Sequence, residues 1–213
     1  MRLTKLGHAC VRLDKDDRTL VVDPGALTPE EDAYEGADAV LITHEHFDHF
    51  EADRLRQAVR DDPGLEVLTC RAVATGLADL GDRVRTVGDG DSVTVAGFDI
   101  AVLGRKHEII HPDVPPVDNV GFLVDGEVFH PGDAFTVPPV AVPTLLTPTN
   151  APWMKVTEMY AYLREIEPAR AYSIHDGLLN DVGLMLVDSA LAGEAERTGK
   201  DYRRLRPGEF IDV

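Results

Sequence analysis

Apolar positions in this chain fall into short runs of two different spacings. LTKL from Leu3, ACVRL from Ala9, TLVVD from Thr19 and AVLIT from Ala39 are each closed by a turn residue or a charge. Runs this short, alternating or wholly apolar, predict strands. In residues 51–61 the period changes: Leu55, Ala58 and Val59 share one helical face. LEVLTC returns to a strand, and RAVATGLADLG predicts a short helix ending at Gly81. RVRTV, SVTV and FDIAVLG then predict hairpin strands around a GDGD turn. The second half repeats the scheme. NVGFLVDGEVFHPGD predicts two strands about Asp125 and Gly126, whereas PVAVPTLL carries prolines that assign it to a loop or a sheet edge. WMKVTEMYAYLREIEP places Trp153, Val156, Met159, Tyr160 and Leu163 on one helical stripe; RAYSIH is a short buried strand, and LMLVDSALAGEAERTG a last helix. Strands followed by helices in both halves predict an α/β chain of two sheets with helices outside. No linker interrupts it, so residues 1–213 are expected to form a single domain.

Composition narrows the setting. At 213 residues, 44% hydrophobic and 28% charged, the chain has the make-up of an ordinary globule large enough to bury a core without staples. No apolar run reaches the length of a membrane span, and MRLTKLGHACVRLD lacks the apolar block of a signal peptide. Two cysteines, Cys10 and Cys70, make no framework and are expected as reduced thiols, so a cytoplasmic protein is expected. The formal net charge of -17 argues against nucleic acid as a partner, because phosphate binding needs a basic stripe. The acidic runs DKDD and EEDAYEGAD are expected as solvated faces.

One stretch resists a purely structural account. LITHEHFDHF holds His44, His46, Asp48 and His49 directly behind an apolar strand. Alternate side chains of extended backbone point the same way, so His44 and His46 share a face and can converge on one ion at about 2.0–2.1 Å. Asp48 and His49 lie past the strand end, where a turn into the following helix can swing them toward a neighbouring position. Four ligand-type residues exceed what a single loop owes one catalytic ion, so a dinuclear site is the working hypothesis. More ligand-type residues close other predicted strands: Asp23 ends TLVVD, His107 follows FDIAVLGRK, Asp133 ends EVFHPGD and His175 ends RAYSIH. Loops at one edge of a sheet scaffold are where chemistry collects.

THEHFDH, preceded by VVDPG and followed by HPGD and SIH, resembles the metallo-β-lactamase fold superfamily. LGHACVRL with VVDPG is similar to the branch of zinc-dependent hydrolases that includes L-ascorbate-6-phosphate lactonase. The resemblance runs from about Leu3 to His175 and implies a four-layer αββα sandwich. It also implies that His44, His46 and His107 hold a first metal and that Asp48, His49 and His175 hold a second, with Asp133 bridging. Asp23 would orient ligands from behind, fixing histidine tautomers. His107 and His111 both sit in KHEIIHPDVPP, and either can reach the first metal; His107 is favoured because it follows the strand. His8 either lies behind the site or is a satisfied histidine between strands, and His130 is expected to pack beneath the bridge. Asn119 either caps a loop or touches substrate. Trp153 either starts a helix against the core or walls the pocket.

The implied activity is a dinuclear metal-dependent hydrolase in which hydroxide bridging two divalent ions, zinc or else manganese or iron, attacks a carbonyl or phosphoryl centre. Asp48 is the candidate proton acceptor and His111 the candidate proton donor, with no serine or cysteine nucleophile required. The expected substrate is an ester or lactone in a small metabolite. A phosphodiesterase or phospholipase-D-like activity, an RNA-processing nuclease and a non-catalytic metal-binding module are the alternatives. No surface pattern speaks to homo-oligomerisation.

Overall fold

The computed structural model describes residues 1–29 and 33–213. In chain order it forms β1 (Arg2–Lys5), β2 (Val11–Lys15), β3 (Arg18–Val22), β4 (Ala39–Ile42), α1 (Ala52–Asp61), β5 (Glu66–Thr69), α2 (Arg71–Gly76) and β6 (Val84–Thr86). Then come β7 (Ser92–Val95), β8 (Phe98–Leu103), β9 (Gly121–Val124), β10 (Val128–His130), β11 (Thr144–Pro148), α3 (Val156–Ile166) and β12 (Arg170–Ile174). The chain finishes with α4 (Asp181–Thr198), β13 (Asp201–Arg203) and β14 (Phe210–Asp212). Part of the acidic run EEDAYEGAD, residues 30–32, lies outside the described residues.

Two seven-stranded sheets result, ordered β14-β1-β2-β3-β4-β5-β6 and β13-β12-β11-β10-β9-β8-β7. Each is antiparallel in one half and parallel in the other. In the first sheet β1, β2 and β3 pair antiparallel, while β3, β4, β5 and β6 pair parallel. In the second, β7 to β10 pair antiparallel and β10 to β13 parallel.

Side-chain alternation shows how the layers stack. Phe122, Val124, Val128, Leu146, Tyr172 and Ile174 join the core that also holds Leu13, Leu20 and Leu41 of the first sheet. Their neighbours Leu123, Phe129, Leu145 and Ala171 face the other way, onto Met159, Tyr162 and Leu163 of α3 and Val187 and Leu191 of α4. Successive strand residues point to opposite faces, so the second sheet is covered by the first sheet on one side and by helices on the other. Leu55 and Val59 of α1 and Val73 of α2 belong to the first sheet's core, so the chain is an αββα sandwich. Cys10 and Cys70 are buried free thiols.

Two expectations change on contact with the structure, and two strands are added to them. PVAVPTLL was assigned to a loop or edge, yet β11 is interior, paired in parallel with both β10 and β12. Its prolines sit outside the ladder's centre, Pro143 before the strand and Pro148 at its end, so the interior N–H groups remain available. RAVATGLADLG divides at Leu77, with φ -112 and ψ 19, into α2 and a 3-10 turn that is itself kinked at Gly81, with φ 57 and ψ -134. β14 forms an edge of the first sheet and β13 an edge of the second, both from a tail rich in charge where the apolar pattern is weak.

Candidate metal centre

The site is assembled from strand ends. β4 is four buried apolar residues, and Thr43 and His44 follow it with no exposure. The chain then turns, with the N–H groups of His49 and Phe50 both donating to the carbonyl of His46. That turn carries Asp48 and His49 back over the strand end. A neighbouring loop fixes it: Ala26 N–H donates to Phe47 O at 2.8 Å, and a Cβ on Gly25 would meet the Asp48 carbonyl at 2.1 Å. His107 follows β8 and is held by its own N–H on Val117 O. Asp133 follows β10 through Gly132, whose φ is 64 and whose missing Cβ would lie 2.3 Å from Asn119 Oδ1. His175 follows β12 in the left-handed region, φ 61, with its N–H on His8 O; Asp23 shares that conformation at φ 51. Left-handed backbone at two buried non-glycine residues is costly and is held in place here by these bonds.

Two groups of ligand-type atoms lie within 4.8 Å of one another: His44, His46, His107 and Asp133, and His8, Asp48, His49 and His175. Asp133 stands between the groups. Its Oδ2 is 3.2 Å from His107 Nε2 and 3.0 Å from His175 Nε2, and its Oδ1 is 3.1 Å from His49 Nε2. Hydrogen bonds behind the histidines determine which nitrogen faces inward. His49 Nδ1 lies 2.7 Å from Asp23 Oδ2, His107 Nδ1 2.6 Å from Glu108 O and His175 Nδ1 2.6 Å from Asn150 O. An oxygen acceptor at Nδ1 places the proton there and turns Nε2 inward as a lone pair in the neutral ring. For His44 the argument takes two steps. Thr43 Oγ1 gives its single proton to Asp23 Oδ2 at 2.7 Å, so it accepts from His44 Nδ1 at 2.9 Å.

His8 has the opposite tautomer. Its Nδ1 accepts from Gly177 N–H at 3.0 Å, so Nε2 carries the proton and donates to Asp48 Oδ2 at 3.2 Å. A protonated nitrogen cannot ligate, so His8 supports Asp48 from behind. His130 is likewise spent, donating through Nε2 to Ala9 O and accepting Gly132 N–H at Nδ1.

Six buried side-chain atoms among the described residues lack a hydrogen-bond partner, and four belong to this cluster: Nε2 of His49, His107 and His175, and Asp133 Oδ1. Buried polar atoms are nearly always satisfied. Unpartnered imidazole nitrogens and carboxylate oxygens crowded at 3.0–3.3 Å fit the donor set of a divalent cation.

Protonation in the cation-free centre follows from burial and charge. Burial pushes His44 well below the ordinary imidazole value, and the charge of His49 adds to this. Burial opposes charge on His49 too, but Asp133 and Asp23 outweigh it and hold the imidazolium well above the usual value. His175 is also opposed by burial, yet the close approach of the Asp133 and Asp48 carboxylates to its Nε2 pushes it up to about 9. Against their own burial, both carboxylates are held well below the carboxylate range, Asp133 by His49, His107 and His175 and Asp48 chiefly by His175 and His8. Protons on His49 and His175 thus do, in part, what a cation would do.

Of the residues singled out from sequence, His44, His46, Asp48, His49, His107, Asp133 and His175 come together, with Asp23 and His8 behind them. Two expectations are corrected. His111 is 61% exposed at its side chain and its Nδ1 accepts the N–H of Asp113, so it turns outward on the proline-rich loop and cannot serve as proton donor from there. Asn119 is fully buried and spends its amide on Pro131 O and Asp133 N–H, so it shapes the bridge's loop and has no face for substrate. Trp153 is part-buried at the site, its indole N–H donating to Asp133 Oδ2 at 3.0 Å. Sequence reasoning missed Thr43, although a hydroxyl directly before HEHFDH was its signal. It also missed the carbonyls of Glu108 and Asn150, which leave no side-chain trace.

A sandwich of two mixed sheets with paired histidine and aspartate clusters at one rim defines the general class. A family model described as the beta-lactamase superfamily domain matches residues 2–175, and the chain belongs to that superfamily. It is 37% identical over 184 residues to Protein Rv0786c of Mycobacterium tuberculosis, covering 84% of this chain and 85% of that protein. It is 30% identical over 152 residues to a UPF0173 metal-dependent hydrolase of Aeropyrum pernix, covering 62% of this chain and 61% of that relative's length. In fold it is similar to Igni18, a metallo hydrolase of Ignicoccus hospitalis, with a TM-score of 0.75, 20% identity, and 99% and 97% of the two chains covered.

Proposed function

We propose that this chain is a dinuclear metal-dependent hydrolase that opens an ester or lactone bond in a small metabolite. The observation that carries this reading is the set of unpartnered buried atoms, Nε2 of His49, His107 and His175 with Asp133 Oδ1, converging between the two clusters. His44, His46, His107 and Asp133 would hold one ion, and Asp48, His49, His175 and Asp133 the other. Zinc suits nitrogen and carboxylate ligands, with manganese and iron the alternatives. The name of the Aeropyrum relative supports the reaction class. When bound, such ions supply Lewis acidity to the acceptor oxygen and acidify water to a nucleophile near neutral pH.

The chain's own residues prepare that chemistry. Asp23, Thr43 and the carbonyls of Glu108 and Asn150 hold the Nδ1 protons, so the Nε2 atoms face the centre before any ligand arrives, and those of His49 and His175 would give up a proton to a cation. His175 first and then the hydrogen bond from His8 hold Asp48 well below the carboxylate range, and a carboxylate held that low is a poor proton acceptor. Asp48 is therefore assigned as a ligand, and its earlier role as base is set aside. The rim favours a neutral acyl substrate. Phe47 is 65% exposed, and Ile110 and Val114 flank a recess of about 40 Å3 that reaches His46 and His107. Lys5, buried behind His175, spends its ammonium on His8 O, Ser173 O and Asp176, and offers nothing to a phosphate. A cytoplasmic setting belongs to the same reading.

The test is elemental analysis of the purified protein, followed by a panel of lactones, aryl esters and bis-p-nitrophenyl phosphate with and without chelator. Lactone or ester turnover is expected, lost on chelation and in Asp133→Ala. Absence of bound metal, or full activity of Asp133→Ala, would sink the reading. Turnover of the phosphate alone would move the substrate to the phosphodiester class.

A further inference from the structure

Trp153, the only tryptophan of the chain, lies between β11 and α3, and its indole N–H reaches Asp133 Oδ2 at 3.0 Å. Its ring is clamped. It packs edge-on against His107 at 5.7 Å and Phe135 at 5.3 Å between centroids, and Phe135 leans on Tyr162, whose hydroxyl donates to Thr136 O. The backbone of Asp133 is fixed separately, its N–H on Asn119 Oδ1 and its carbonyl receiving Glu108 N–H. Those bonds place the main chain but not the carboxylate, whose other neighbours are the Nε2 atoms of His49, His107 and His175, the nitrogens a cation would claim. The indole bond is the one neutral donor on the carboxylate itself.

A carboxylate offers about four acceptor sites on two oxygens. Oδ2 lies beside both His107 Nε2 and His175 Nε2, whereas Oδ1 is buried without a hydrogen bond and faces His49 Nε2 at 3.1 Å. An N–H fixed on Oδ2 stops the group from spinning and keeps Oδ1 presented to the cluster. We propose that Trp153 is a positioning residue for the bridging carboxylate, holding Asp133 in the rotamer that spans the two cation positions. This rests on the metal-centre part of the function proposed above. A tryptophan touching a ligand residue is also a built-in reporter, because cation binding must disturb the environment of its N–H.

Chelator-stripped protein is titrated with zinc and, separately, cobalt. Indole emission is followed directly, affinity is obtained by competition with a chromophoric chelator, and the cobalt absorption bands are recorded. Wild type is expected to change emission saturably with metal stoichiometry. Trp153→Phe keeps the ring packing but lacks the N–H; it is expected to bind about 10–100-fold more weakly, the usual effect of losing a partner behind a ligand, with shifted cobalt bands. Unchanged affinity and bands in folded Trp153→Phe would overturn the inference while leaving the hydrolase reading intact. Flat wild-type emission through full loading would overturn it without recourse to any variant. Failure of wild type to bind either metal would remove both.

Discussion

The two imidazoles packed 4.1 Å apart at His8 and His175 show how a single residue's role is decided by its partners. Both are buried, but an amide N–H behind His8 leaves its Nδ1 bare and commits its Nε2 as a donor, whereas a carbonyl behind His175 keeps a proton on Nδ1 and frees Nε2 for a cation. Asp23 does most of this work for the rest of the centre. It accepts from Thr43 N–H, Thr43 Oγ1 and His49 Nδ1 at 2.7–2.8 Å, fixing His49 directly and His44 through Thr43. Asp23→Ala frees both rings to rotate and is expected to weaken metal binding about 10–100-fold, measured by chelator competition. His111→Ala, on the outward-facing loop, is expected to leave binding and turnover within about twofold, because surface substitutions away from such features change little. A His111→Ala defect as large as that of Asp23→Ala would return His111 to the site.

Elements bring these residues together, and here the amino-acid pattern was informative to different depths. The strands that lead into Asp23, His44, Asp133 and His175 were legible, because each apolar run is followed within one to three residues by a polar ligand-type residue. The placement of β11 was not, because proline content is a local signal whereas strand order depends on which neighbours supply hydrogen bonds. The partners of β14 and β13 were equally hidden: β14 pairs with β1 from the far end of the chain. His111 and Asn119 illustrate the limit for the site, since residue type and nearness to a motif do not reveal the direction of a side chain. Gly132 tests the element scale. Alanine there must adopt φ 64 and press its Cβ to 2.3 Å from Asn119 Oδ1 and 2.8 Å from Thr43 Cβ. The left-handed conformation alone costs about 1–2 kcal/mol, and the collision adds to it. Gly132→Ala is expected to lower the melting temperature and weaken metal binding together, since the same shift displaces Asp133; calorimetry and competition binding check the pair. A loss of stability with unchanged affinity would show that the β10 loop does not transmit the strain.

For the whole molecule, the centre couples fold stability to pH with a sign that depends on occupancy. In the cation-free protein His175 is raised from 6.5 to about 9, and His49 is raised well above 6.5. A group bound more tightly to its proton when folded stabilises fully below its unfolded pKa, and that stabilisation is lost as pH climbs through the folded value. Metal-free protein should therefore lose stability between about pH 6.5 and 9 from His175, and His49 adds to the loss as pH climbs above 6.5. Asp48 and Asp133 are shifted down, so their contribution is intact across this window and disappears only in acid. With cations present the dependence reverses. The ion that Asp48, His49 and His175 would hold needs the Nε2 lone pairs of both rings, so loading of that position releases protons and tightens as pH rises. Ligand bound only to the folded state adds stability as the logarithm of saturation, about 2.7 kcal/mol at a hundredfold excess over Kd. The formal charge of -17 also favours accumulation of cations near the chain at low ionic strength. The gap in melting temperature between metal-loaded and chelator-treated protein is thus expected to be small at about pH 6 and to widen steadily toward pH 9. Thermal scans at matched ionic strength across that range test it. A gap that stayed constant with pH would mean that the cations do not displace protons from His49 and His175, and would place the metals elsewhere.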